Sequence, residues 1–162
     1  MSRRLALLAL GAALAGCAAP VRQGPTTASS RPANELAMMQ TRSMAANPAF
    51  VLRATVAALH DLGYRFTYVD PRGAVSAIKH NRLLVSVVVV PVGAGEVAVR
   101  ANAQMRGNFG PGFTQVDLPE FYERDIFQPL SAMAGVPTRP VSPGQPVPDA
   151  FTPIERPPSP LP

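Results

Sequence analysis

Few of the residues from which enzyme chemistry is built occur in this sequence. One cysteine and two histidines stand among 162 residues. A single cysteine excludes an internal disulfide, so no covalent staple holds the fold in any redox compartment. His60 and His80 have no second ligand at helical spacing, and a zinc site needs three or four converging donors. We read His60 as a solvent-facing helix residue and His80 as a turn residue, with no metal and no cofactor. Lysine is nearly absent: Lys79 is the only one, and arginine carries the basic charge. No basic run with interleaved aromatics occurs, which argues against a nucleic-acid surface. No serine lies in a G-x-S-x-G elbow. Glu120, Glu123 and Asp125 stand where a helix N-terminus draws acids for dipole reasons alone. Gly107, Gly110 and Gly112 lack the Lys-Ser/Thr that follows a phosphate loop. These absences point away from an enzyme.

What is present starts with the cysteine itself, in LALLALGAALAGCAAP, Leu5–Pro20. Arg3 and Arg4 precede an apolar run from Leu5 to Ala15. That run is shorter than the ~20 residues of a bilayer-spanning helix but suits a secretory signal. Leu14-Ala15-Gly16-Cys17 resembles the lipobox of bacterial lipoproteins. The resemblance implies cleavage between Gly16 and Cys17, a diacylglycerol on the Cys17 thiol and usually an acyl chain on the new amine. Two or more chains make a firm anchor, since each buried methylene contributes ~0.8 kcal/mol. Ala18, rather than Asp, follows the cysteine, which by the same resemblance implies the outer membrane, periplasmic side. No other stretch is long and apolar enough to span. Loss of Arg3 and Arg4 lowers the basic count from 15 to 13 against 10 acids, so the net charge falls from +5 to +3.

The organisation expected is a signal peptide over residues 1–16, a lipidated cysteine and flexible tether over 17–34, a folded domain over 35–135 and a Pro-rich disordered tail over 136–162. The tether, AAPVRQGPTTASSRPAN after the cysteine, shows no apolar period and could reach roughly 60 Å when fully extended. The tail has ten prolines in 27 residues. Proline lacks the N–H and fixes φ, so neither helix nor sheet propagates through such a run.

Between the arms the pattern predicts α+β, a two-layer sandwich with an antiparallel sheet of about five strands and two helices on one face, in the order β-α-β-β-β-β-α. Leu36–Ser43 alternates loosely and reads as a strand. Asn47-Pro48 is a cap and a first-turn proline, and Val51, Leu52, Thr55, Val56, Leu59 and Leu62 form one helical stripe up to the Gly63 stop. Tyr64, Phe66 and Tyr68 alternate onto one strand face, and DPRG (Asp70–Gly73) reads as a turn. Ala74–His80 and Arg82–Val90 are strands, and PVGAGE closes a hairpin. Glu96–Arg106 alternates most clearly, with Val97, Val99, Ala101, Ala103 and Met105 on one face. Asp117-Leu118-Pro119-Glu120 reads as a capping box, and Pro129 should kink or shorten the helix it opens.

The segments MMQTR, VLRATVAALHDLGY, GAVSAIK, VAVRANAQ and PEFYERDIFQPL resemble small, uncharacterised bacterial envelope lipoproteins over about 100 residues. That family implies an address and a fold and carries no established activity. His60 stands where Gln is common, and Pro129 interrupts the last helix; both depart from the pattern. The candidate partner contacts are the loop aromatics Phe109 and Phe113, and the polar strand face of Arg100, Asn102 and Gln104 beside Ser76 and Ser86. The function expected is a non-enzymatic interaction or assembly module held to the membrane by lipid, with another envelope protein as partner. The alternative is a small-molecule or glycan binding module.

Cys17→Ser is expected to accumulate as an unprocessed precursor or to leave the membrane. Fractionation with a processing-sensitive gel checks this; a processed mutant retained on the membrane would refute the lipid anchor.

Overall fold

A computed structural model of the chain describes residues 26–107, 112–142 and 144–151. Gly16, Cys17 and Phe109 lie outside the described residues. The elements run β1 (Thr26–Thr27), α1 (Ala33–Met39), β2 (Thr41–Met44), α2 (Pro48–Asp61), β3 (Arg65–Asp70), β4 (Ala74–Lys79), β5 (Leu83–Gly93), β6 (Glu96–Arg106), β7 (Phe113–Gln115), α3 (Pro119–Tyr122), α4 (Gln128–Ala134) and β8 (Arg139–Pro140). A π-helical stretch, Glu123–Phe127, joins α3 to α4 into one rod. The described residues are α+β: an open eight-stranded sheet with three helical rods.

The sheet grows from the antiparallel meander β3-β4-β5-β6. Each link has its own local cause. Gly73 (φ 124°) closes the β3–β4 turn, and Val89 N–H donates to its carbonyl at 2.7 Å. His80 and Asn81, with φ of 52° and 54°, make the doubly left-handed turn that matches strand twist between β4 and β5. Gly95 (φ 73°) turns β5 into β6. The three strands beyond the expected five are short: β1, β7 and β8. The expected sheet was antiparallel throughout, but β1 runs parallel to β7.

Residues with odd numbers in β4, β5 and β6 face the helices. Val75, Ala77, Val85, Val87, Val89, Val97, Val99, Ala101 and Ala103 are buried there against Val51, Leu52 and Leu59 of α2 and Ile126, Phe127 and Leu130 of the C-terminal rod. Asn47 Oδ1 accepts from Ala49 N–H at 2.9 Å with Pro48 in the first turn. At the other end, Gly63 (φ 80°) N–H donates to His60 O and Tyr64 N–H to Leu59 O, the paired bonds of a Schellman stop. The HDLGY segment is therefore a helix terminator.

Four expectations are corrected. Leu36–Ser43 is not one strand: α1 runs to Met39, and only Thr41–Met44 is extended. A loose alternation over so few residues does not separate the two. Phe66 and Tyr68 do not share a face. A bulge between them pairs Phe66 with Ala77, on the helix side, and Tyr68 with Ser76, on the other. Asp117 does not cap the last helix, because its Oδ2 accepts from Ser29 Oγ at 2.8 Å; Leu118 takes the cap position with no side-chain bond. Pro129 neither ends the rod nor breaks it. Gln128 N–H reaches back five residues to Glu123 O, and the widened turn accommodates a ring that would otherwise meet the carbonyl four residues earlier.

The two arms are also shorter than expected. Thr26–Thr27 adds to the sheet edge, so the folded region starts before residue 35. Past Gly135, Arg139–Pro140 pairs with β2 and Val141 is buried. Residues 144–151 then lie against the sheet face opposite the helices, as described below. A proline tally registers the missing N–H groups but not the carbonyls, which remain free to accept.

Gly73→Ala is expected to cost about 1–3 kcal/mol. A Cβ there would stand 2.4 Å from Val89 O, on top of the positive φ. Chemical denaturation checks this; a midpoint equal to that of the parent would refute the close-approach argument.

Candidate functional site

β6 is eleven residues long, and no single partner covers its outer edge. β2 pairs with residues 97–100 and β7 with residues 104–106. The gap between them needs other partners. Ala101 N–H donates to Gln40 O at 2.9 Å, and Ala103 O accepts from Val116 N–H at 2.9 Å. Ala103 N–H lies 3.3 Å from the Tyr122 hydroxyl. That hydroxyl donates to Val116 O at 2.8 Å, and Gln40 Nε2 and Gln115 Nε2 approach it at 3.0 and 3.2 Å. Tyr122 and Gln40 are both fully buried. Burial raises the Tyr122 phenol pKa, against the opposing pull of these N–H donors.

The MMQTR segment supplies Gln40 to this hub. Arg42 completes it from outside. Its guanidinium donates to Thr41 O at 2.8 Å, pairs with Glu123 at 3.0 Å and lies 4.8 Å over the Phe127 ring. This pins α1, β2 and the π turn together. The motif is thus read as architecture, a role that sequence spacing alone did not disclose.

The face of the sheet away from the helices carries the predicted polar contacts. Tyr68, Ser76, Ser86 and Asn102 stand in one row across β3, β4, β5 and β6. The row is not solvated: Ser76, Ser86, Asn102 and Gln104 are all buried. Gln115 Nε2 donates to Asn102 Oδ1 at 2.7 Å. Arg100 Nη1 donates to Pro148 O at 2.6 Å and Nη2 to Gln40 Oε1 at 3.3 Å. Burial lowers the Arg100 pKa. Phe113 is not an exposed loop aromatic. It is buried with Ile78 and Leu84 on this same face, under the Arg106 guanidinium at 4.9 Å. Of the predicted contacts, Arg100, Asn102, Gln104 and Phe113 therefore fall on one face, already covered by the chain itself.

A second surface was not anticipated. An open groove of about 430 Å3 is lined by Arg82, Met105, Arg106, Thr114, Val116 and Leu118, among others. Met105 and Leu118 are exposed apolar side chains. Met105 keeps the parity of the core strand but lies past the end of the helical layer. Arg31 and Ser29, just after β1, bind Asp117 on its rim. A smaller cavity of about 140 Å3 lies among Leu62, Tyr64, Lys79, Leu83, Phe121 and Asp125. There the Tyr64 phenol is pushed up to about 12, by burial first and by the Asp125 charge second. A phenol with a pKa so raised is protonated at neutral pH and is no general base.

Among the described residues no three His, Cys, Asp or Glu side chains converge as a metal site would require, and no helix is long and apolar enough to cross a membrane. His60 is exposed on α2 beside Asp61, at 3.6 Å. No protein-family model matches the chain, and no curated protein is significantly similar to it.

Two tests follow. Tyr122→Phe is expected to cost about 2–3 kcal/mol, because it takes the acceptor from the buried Ala103 N–H and Gln40 Nε2. Equilibrium unfolding measures this, and a loss under 1 kcal/mol would refute the hub. Burial of Tyr64 also predicts alkaline lability. Its folded pKa exceeds the unfolded value, so that share of stability is complete below about pH 10 and disappears as pH rises towards 12. Ultraviolet titration should find a phenol ionising near the top of that window in the native state. Native phenols that all ionise near pH 10 would contradict it.

Proposed function

We propose that the chain is a lipid-anchored envelope lipoprotein, held at the periplasmic side of the outer membrane through Cys17, whose α+β domain is a non-enzymatic interaction module. The observation that supports docking is the open groove with Met105 and Leu118 exposed on its walls. Exposed apolar side chains on a rim of arginines are a common form of protein contact surface. The groove adjoins the sheet edge where β1 enters, so a tether from Cys17 would present it near the membrane. The lipobox resemblance of Leu14-Ala15-Gly16-Cys17 supports the address.

The alternative is a module for a small molecule or glycan. The groove volume falls in the range of ligand pockets. Its polar side chains favour this less: Asp117 is engaged by Ser29 and Arg31, and the Gln115 amide by Asn102, Ala103 and Tyr122.

Photo-crosslinking from positions 105 and 118 in intact cells separates the two. An interaction module gives one recurrent envelope protein at both positions, and Leu118→Glu should abolish the adduct. Absence of any protein adduct, with the lipoprotein abundant and anchored, would sink the docking reading. Saturable binding of a glycan fragment in the groove would then carry the alternative.

A further inference from the structure

The described part of the proline-rich tail does not cover the polar face at random. Gln145, Val147, Pro148 and Phe151 are half-buried along it, and the two that meet the sheet, Pro148 and Phe151, stand three residues apart, one turn of a polyproline-II chain. Pro146 and Pro148 fix their own φ and keep the residues before them out of the α region, so this segment is held extended. It engages the sheet at two carbonyls three residues apart. Arg100 Nη1 donates to Pro148 O at 2.6 Å. Ser86 Oγ donates to Phe151 O, which Asn102 Nδ2 also approaches at 3.5 Å. The Phe151 ring stacks on Tyr68, with centroids 5.7 Å apart and planes at 29°. Tyr68 is itself positioned, since its hydroxyl donates to Asp70 Oδ2 at 3.2 Å and Arg72 holds that carboxylate at 2.7 Å. The Arg72 guanidinium holds the Asp70 carboxyl well below the usual carboxylate range, so the clamp persists down to strongly acidic pH.

Aromatic stacking combined with side-chain donors aimed at main-chain carbonyls is how proline-rich segments are recognised elsewhere. Carbonyls are what a proline-rich chain has to offer, because it lacks N–H groups. The donors here stand on rigid strands in register, not on loops. Arg100 Nε is buried and finds no acceptor among the described residues. The site thus holds a donor that its present occupant leaves unused.

We infer that the patch formed by Tyr68, Ser86 and Asn102, with Arg100 two residues along β6, is a recognition site for extended, proline-containing peptide bearing an aromatic residue, and that the chain's own residues 145–151 occupy it in cis. A short connection to β8 keeps the local concentration of the tail high, on the order of millimolar. A weak site is therefore filled at rest, and a competing segment must outbid a tethered one. The inference rests on the reading of this domain as a docking module but concerns a different set of residues from the walls of the groove.

The test uses the full chain and a fluorescent peptide, SPGQPVPDAFTP, which copies residues 142–153. Phe151→Ala should free the site, so the variant should bind the peptide roughly tenfold or more tightly than the parent. Adding Arg100→Ala or Tyr68→Ala to that variant should abolish binding, as should alanine at the peptide's phenylalanine. Equal binding by parent and variant, or none by a folded variant, overturns the inference. Should Phe151→Ala fail to fold, a fluorinated phenylalanine at position 151 of the parent gives the answer. Excess unlabelled peptide should move its fluorine resonance to the solvent position, and an unmoved resonance overturns the inference. Crosslinks from positions 105 and 118 report on the groove alone, so each reading can fail without the other.

Discussion

One hydroxyl group sits where the sheet would otherwise come apart. Strand β6 is longer than either neighbour on its outer side, and two short strands approach it from opposite ends. Backbone groups left between them would be buried without partners, at a cost comparable to that of a lost hydrogen bond each. Tyr122 brings a side-chain oxygen from the helical rod into that gap, and Gln40 brings a carbonyl from the end of α1. The rod, the first helix and both half-strands are therefore fixed by one polar cluster. The Arg42 contacts and the π turn lie beside it and tie the same elements together.

The meander was legible in the sequence because its causes are local. Alternation in Glu96–Arg106, the Asn47-Pro48 start and the Gly63 stop each operate within a few residues. The edges were not legible, because their causes are remote. Thr26–Thr27 is too short to show a strand period, and its place in the sheet comes from pairing with β7. Phe66 and Tyr68 look alike in an alternating pattern, and only the pairing to β4 shows that a bulge separates them. Pro129 announced a break that a single wide turn absorbed.

The candidate site was half legible. The alternation of β6 correctly put Arg100, Asn102 and Gln104 together on the face away from the valines. It could not show that the face was covered, since the cover comes from about fifty residues further along. The composition that marked the tail as unable to form helix or sheet also made it a suitable cover. A chain that needs few hydrogen-bond acceptors can lie across strands without competing for their edges. Phe113 was misplaced for a related reason: glycine-rich flanks suggested a loop, and the pairing with Arg106 sets the ring over Ile78 and Leu84.

Strand β1 also sets a leash. Seventeen residues of tether would let the domain roam well away from an anchored Cys17. Pairing at Thr26 leaves only the eight residues between them, which span roughly 30 Å at full extension. A domain of this size has a radius of gyration of about 14 Å. On the lipid-anchor reading its range is therefore about one molecular diameter, and its search is a swivel about the β1 edge. On that same reading, whatever the domain met would have to come within that shell.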